Sequence, residues 1–271
     1  VLKDITTQID SPPILTSLLG TFVSSLRNLE RLSSPTVELN STKTEDFTYP
    51  GAASLILGII KHHMADSQLV EAGLRALRYL TKHHSTARAA VAREDGLATF
   101  LLVLKKQQET GTVVAAAFAA LAFLVEEERV AAELSLNQEC IRLIMSIIKS
   151  FSSDPLVTEW SLDLIGRACL WNDENKVLFA RAGAIQIILN SLKTCPSDRP
   201  ELCIWGSHAL GNIVLENANN WHLAQCQGAI ETVEQVKKQF KNNQSVVVQM
   251  DRALSLLQSQ PLHTGYHSGS V

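Results

Sequence analysis

Residues 175–217 read NKVLFARAGAIQIILNSLKT, then CPSDRP, then ELCIWGSHALGNIVLEN, and this stretch decides the fold. From Ala184, AIQIILNSL places apolar residues at i, i+3, i+4 and i+7, the period of a helix with one buried face. Gly183 precedes it, and Pro196 and Pro200 follow it, so the breakers lie between periodic segments and not inside them. The stretch predicts three helices: a short one over NKVLFAR, one opened by Gly183, and a long one over 201–215. CIRLIMSII, from Cys140, shows the same helical spacing, and no segment alternates cleanly enough for a strand.

The long helix recurs. GLRALRYL from Gly73, AFAALAFL from Ala117, SLDLIGRA from Ser161, GSHALGNI from Gly206 and MDRALSLL from Met250 start 44, 44, 45 and 44 residues apart. Their fifth residues are aliphatic (Leu77, Leu121, Ile165, Leu210, Leu254). An earlier copy, SLRNLERL from Ser25, lies 48 residues before the Gly73 copy. A second marker keeps step: Gly51, Gly96, Cys140, Gly183 and Gly228 each open an apolar segment, at spacings of 45, 44, 43 and 45. One such unit cannot bury its apolar faces, but stacked units share a core. A period near 44 falls in the range of armadillo and HEAT repeats.

Residues 175–217 resemble an armadillo repeat from end to end, above all in the turn Ala182-Gly183-Ala184 and the ending Ala209-Leu210-Gly211-Asn212-Ile213. The likeness covers about residues 51–260. It implies an all-α fold, a right-handed armadillo-type α-solenoid of about five three-helix units. Residues 1–32 are expected to form an N-terminal helical cap and residues 33–50 a polar loop, read first as a tolerated surface insertion and second as a partner-facing or phosphorylated segment. Residues 51–260 hold the repeats, and residues 261–271 are expected to be a disordered tail. The chain begins with Val1 and not Met, so a processed chain or a piece of a longer protein is expected.

Hydrophobic residues make up 46% and charged residues 19%, with a net charge of −3. That is a globular composition without a global field toward nucleic acid or an acidic membrane. No apolar run approaches the roughly 18 residues of a membrane span, and no signal peptide is read at the start. The odd number of cysteines (Cys140, Cys169, Cys195, Cys203, Cys226), with no CxxC pair, reads as reduced thiols of an intracellular, cytoplasmic or nuclear protein. Cys195 and Cys203 flank one loop and could approach each other.

The resemblance implies that the third helices line a concave groove for an extended peptide. Its floor takes the third and seventh residues of each aligned segment: Arg27 and Arg31, Arg75 and Tyr79, Ala119 and Phe123, Asp163 and Arg167, His208 and Asn212, Arg252 and Leu256. An importin-α type groove would need repeated Trp and Asn at these places, and only Asn212 is in register. Trp160 and Trp205 precede the Trp place by three residues and are expected nearly on the opposite side of their helices. The arginines either suit carboxylates or phosphates of a ligand or are solvated helix faces and partners of Glu71, Glu159 and Asp163; Tyr79 and Phe123 would be apolar anchors, and Asn212 would hold peptide backbone. Lys61, Lys106, Lys149, Lys193 and Lys238 recur near the ends of the Gly-opened helices, where a local helix-dipole role accounts for them. Glu126-Glu127-Glu128 reads as a solvated helix start.

Catalytic signatures do not appear. The His62-His63 and His83-His84 doublets diverge by about 100° on a helix and cannot chelate one ion. No HExxH, zinc spacing, GxGxxG, P-loop or GxSxG is present. The expected function is therefore a non-catalytic protein-interaction scaffold or adaptor without cofactor or metal. It would bind an acidic or phosphorylated protein segment, and not nucleic acid. A structural module packing by its outer surface is the second expectation. A nuclear-import adaptor, or a helical-repeat enzyme using Glu71, Glu159, Asp163 and His208, stands behind both.

Overall fold

The computed structural model describes residues 11–32, 49–170 and 172–259. The sequence expectations for 1–10, 33–48 and 260–271 lie outside the described residues. A helix α1 (Pro12–Leu32) is followed by α2 (Tyr49–His62) and α3 (Ser67–His83). Triplets follow: α4 (Ser85–Arg93), α5 (Gly96–Lys106) and α6 (Gly111–Leu124), then α7 (Glu128–Leu136), α8 (Gln138–Ser150) and α9 (Pro155–Leu170). The last two triplets are α10 (Asp173–Arg181), α11 (Ala184–Lys193) and α12 (Pro200–Val214), then α13 (Ala218–Cys226), α14 (Ala229–Gln239) and α15 (Gln244–Gln258). The described residues contain no strand. Each full triplet is short, medium, long, as the periodicity predicts.

The chain divides into two compact units, residues 1–133 and 134–271. In the first, the long helices stack in order, α1 on α3 and α3 on α6, while α2 packs on α3 and α4. Val113 to Val125 is buried without interruption, so α6 is apolar all round and central to its unit. In the second unit α9 packs on α12 and α12 on α15, with α11 and α14 beside them. Ile185, Ile188, Leu189 and Leu192 of α11 are fully buried, which is the i, i+3, i+4, i+7 face read from the sequence.

Asparagines start the helices. The side chains of Asn172, Asn217 and Asn243 accept from the backbone N–H three residues on, at 2.8, 3.0 and 3.2 Å, each satisfying a donor that the first helical turn leaves unpaired. Three residues after two of these caps stands a second asparagine, and it is buried. Asn175 donates to the Ala168 carbonyl at 3.0 Å, and Asn220 donates to Ile213 and Lys176 carbonyls at 2.9 and 3.0 Å. They tie the end of a long helix to the short helix that follows.

The glycine marker serves two purposes. Gly183 caps α11 with φ 93°, a left-handed conformation that a side chain resists. At the corresponding turn before α5 the left-handed residue is Asp95, φ 59°, one position earlier than Gly96. Gly96 is needed for room, because a Cβ there would lie 2.6 Å from the Val91 carbonyl oxygen. The two glycines that look equivalent in sequence are one residue out of structural register.

Contacts one repeat apart stitch the stacks together. Lys61 Nζ donates to the Glu94 carbonyl at 2.8 Å and Lys149 Nζ to the Ala182 carbonyl at 3.3 Å, each 33 residues along. These carbonyls belong to the C-caps of α4 and α10, so two members of the lysine ladder serve the next repeat's helix. The local role expected of them is incomplete. Gln107 and Gln239 donate backward to the Met64 and Cys195 carbonyls, 43 and 44 residues away. The buried Lys176 donates to the Leu215 carbonyl at 3.0 Å. Glu126 and Glu127 are not simply solvated: Arg88 holds them at 2.8 and 3.0 Å. At the far end, Trp221 Nε1 and Gln225 Nε2 both donate to the Leu257 carbonyl and cap α15 from within.

Candidate functional site

The long-helix faces carry the residues that the sequence singles out. Arg27 and Arg31 lie on α1, and their side chains are outside the described residues. In the first unit, Arg75 is 60% exposed and pairs with Glu71, one turn earlier on α3, at 2.7 Å. Tyr79 and Phe123 are each 6% exposed, so only an edge of either ring reaches the surface. Tyr79 stacks at a tilt on His83, with ring centroids 4.8 Å apart, and Lys82 Nζ lies 5.8 Å from the Phe123 ring centre. Ala119 is buried.

In the second unit a line of polar contacts crosses three long helices. Asp163 Oδ1 accepts from Arg167 Nε at 2.7 Å, with the Asp163 side chain 3% and the Arg167 side chain 23% exposed. The Arg167 guanidinium lies 5.9 Å from the Trp205 ring centre, and Trp205 meets His208 edge-on at 5.6 Å. His208 Nε2 lies 2.8 Å from Gln249 Oε1. Asn212 Nδ2 donates to the Gly166 carbonyl at 2.9 Å. Trp205 is therefore part of this face, and the sequence expectation that it points nearly opposite is corrected. Residues i and i+3 on a helix are about 60° apart, so Trp205 and His208 are neighbours.

Beside this line lies a hollow of about 190 Å³, with apolar walls from Leu170, Ala253 and Leu256 and polar ones from His208, Asn212 and Arg252. Arg252 is exposed, and among the described residues no carboxylate pairs with it. Asn212 is half-buried, with one amide hydrogen spent on Gly166. This corner offers an open cation and an amide edge next to apolar surface.

The acid and thiol groups elsewhere are held locally. Burial, then repulsion from Glu201 and Asp163, raises the Glu159 carboxyl above its usual range, against a lowering pull from Arg199. All five cysteines are free thiols. Cys195 Sγ donates to the Arg199 carbonyl at 3.3 Å; the neighbouring Cys203 holds the Cys195 thiol below the ordinary range, and Cys195, then burial, pushes Cys203 above it. Burial pushes Cys169 up. The sequence reading named Cys226 as a reduced thiol but missed its neighbour His222, whose Nε2 lies 3.7 Å from the Cys226 Sγ on α13, an i, i+4 spacing that could have been scored. Among the described residues, no three His, Cys, Asp or Glu gather as a metal site, and no helix is long and apolar enough to cross a membrane.

Three-helix repeats with stacked long helices make this an all-α solenoid of armadillo-like repeat fold. Solved structures share that fold. An engineered protein, Northeast Structural Genomics Consortium target OR329, is similar at TM-score 0.68 and 16% identity over 94% of this chain and 92% of its own. A second engineered protein, target OR366, gives 0.68 and 17% over 93% of each chain. The designed armadillo repeat protein YIII(Dq)4CqI gives 0.64 and 16% over 76% of this chain and 82% of its own. No protein-family model matches the chain, and no curated protein matches it.

Proposed function

We propose that the chain is a non-catalytic scaffold or adaptor that holds an extended, acid-leaning segment of another protein on its long-helix faces. The observation that carries this reading is the corner of the second unit where Arg252, with no acidic partner among the described residues, stands beside Asn212 and the apolar-walled hollow. A carboxylate or phosphate on Arg252, backbone on the remaining Asn212 donor and acceptor, and a small apolar side chain against Leu170 and Leu256 use these groups together. Arg75 is the matching cation in the first unit. Its guanidinium can engage a ligand while keeping Glu71, because Arg75 is 60% exposed. Arg167 contributes by position, since it is committed to Asp163. Arg27, Arg31, Tyr79 and Phe123 belong to the same proposal as flanking contacts.

The non-catalytic reading is supported by what the acid–base candidates touch. Glu71 faces Arg75, Asp163 faces Arg167, His208 faces Gln249, and Glu159 stands outside the lining of the hollow. No acid–base couple converges on the hollow. The test is capture of proteins from lysate by the wild type against an Arg75→Glu/Arg252→Glu variant, with circular dichroism confirming that both are folded. Acidic segments captured by the wild type and lost by the variant support the reading. Unchanged capture removes the long-helix faces as the working surface.

A further inference from the structure

A second hollow, of about 490 Å³, lies in the second unit between α8 and α10, away from the long helices. Its floor is Ile141, Met145 and Leu178, and its rim carries Arg142, Lys149 and Arg181. No acidic side chain lines it. Arg142 is 62% exposed and pairs with Glu139 at 2.5 Å, but Glu139 is itself 75% exposed, so this pair holds Arg142 weakly. Arg181 is exposed, and no carboxylate pairs with it among the described residues.

The same place two repeats earlier, in the first unit, shows what this site is built to receive. Lys61 and Lys149 occupy one repeat position, and both donate to the C-cap carbonyl 33 residues on. In the first unit that C-cap residue is Glu94, and its carboxylate folds back to accept from Ser54 Oγ on α2. In the second unit Ala182 replaces Glu94 and Arg142 replaces Ser54, while Arg181 keeps the place of Arg93. The chain thus supplies its own carboxylate at the first position. At the second it removes that carboxylate and adds Arg142, whose acid Glu139 is solvent-exposed and outside the lining, and leaves an open hollow.

We propose that the hollow between α8 and α10 is a docking site for an acidic segment of another protein. One partner carboxylate takes the place that Glu94 fills in the first unit and bonds Arg142 and Arg181. A neighbouring apolar side chain sits on Ile141, Met145 and Leu178. This site is independent of the long-helix reading, and a protein using both faces bridges two partners or grips one acidic chain twice.

The test uses a fluorescein-labelled peptide, EEELEEE, titrated at low salt and followed by anisotropy, with QQQLQQQ as control. Wild type is expected to bind EEELEEE saturably and QQQLQQQ far more weakly. Ala182→Glu, which restores an internal carboxylate beside Arg142, weakens binding by about fivefold or more, as does the surface variant Arg142→Ala/Arg181→Ala, since about 1 kcal/mol is lost. Lys105→Glu, an exposed lysine of the first unit, leaves it unchanged, and the same order of affinities is expected when the series is repeated in an Arg252→Glu background. No saturable binding by wild type, wild-type affinity in both Ala182→Glu and the double variant, or a loss in Lys105→Glu as large as theirs each overturns the proposal. The last outcome would make the binding a general attraction of the peptide to surface cations. Urea midpoints for all variants exclude misfolding as the cause, and the exposed arginine pair serves if Ala182→Glu fails to fold.

Discussion

Arg75 and Arg167 form the same i, i+4 pair with an acid one turn before them, yet truncating them is predicted to have very different costs. Glu71 and Arg75 are 23% and 60% exposed, and Asp163 and Arg167 are 3% and 23% exposed. For Arg75→Ala the loss is that of an exposed helix pair, about 0.2–0.5 kcal/mol. For Arg167→Ala, Asp163 keeps its place out of water and loses its counter-charge. Breaking a fully buried pair costs about 3–5 kcal/mol. Water reaching the guanidinium site reduces this to about 2–3 kcal/mol, and loss of the contact with Trp205 adds about 0.5–1 kcal/mol. The expected total is therefore about 3 kcal/mol. Asp163→Asn/Arg167→Ala removes the stranded charge and should recover about half of that loss. Urea unfolding is the assay. Trp160, Trp171, Trp205 and Trp221 all lie in the second unit, so tryptophan fluorescence isolates its transition, while circular dichroism reads both units. Equal costs for the two truncations, or a double variant no better than Arg167→Ala, would refute this account.

Three further outcomes are expected. Lys61→Met and Lys149→Met each remove one charge-assisted bond to the next repeat and should cost about 0.5–1.5 kcal/mol in urea unfolding; an effect confined to salt-screened dipole energy would be smaller and would vanish in about 1 M salt. Gly183→Ala should cost about 1–2 kcal/mol from left-handed strain, and Gly96→Ala more, because it meets the Val91 carbonyl, whereas Asp95→Gly should be neutral or stabilising; thermal melts rank the three. Glu159 has a folded pKa raised above 4.5, first by burial, so the folded chain binds that proton more tightly than the unfolded one. Its penalty is present in full above the folded pKa and is relieved as pH falls through it. Glu159→Gln should raise the urea midpoint at pH 7 and remove that part of the pH slope, and an unaltered slope counts against the assignment.

The period near 44 was legible because it repeats five times, and a core face that must align from unit to unit leaves the same trace each time. What lay hidden depends on where side chains end. Lys149 and Ala182 are 33 residues apart, and nothing in either residue type announces the bond. Trp205 was misplaced through an error in helical phase, and the phase that corrects it was available from the sequence. Tyr79 and Phe123 stand at groove positions by alignment but are nearly covered, because burial at a position depends on the neighbouring helix as well as on its own. Arg167 has Asp163 four residues before it where Arg252 has Val248, so which arginine is committed was legible from the spacing, and the depth at which Asp163 is buried was not.

The stitches reach 33 to 46 residues along the chain and no further among those described here. Each therefore ends within about one repeat of where it starts. A pull applied to the ends of such a stack loads these bonds in series, so the weakest boundary yields first and the next stays closed. Each unit should then lengthen in steps of about one repeat instead of giving way all at once. Anything held across one boundary would raise the force at which that boundary opens.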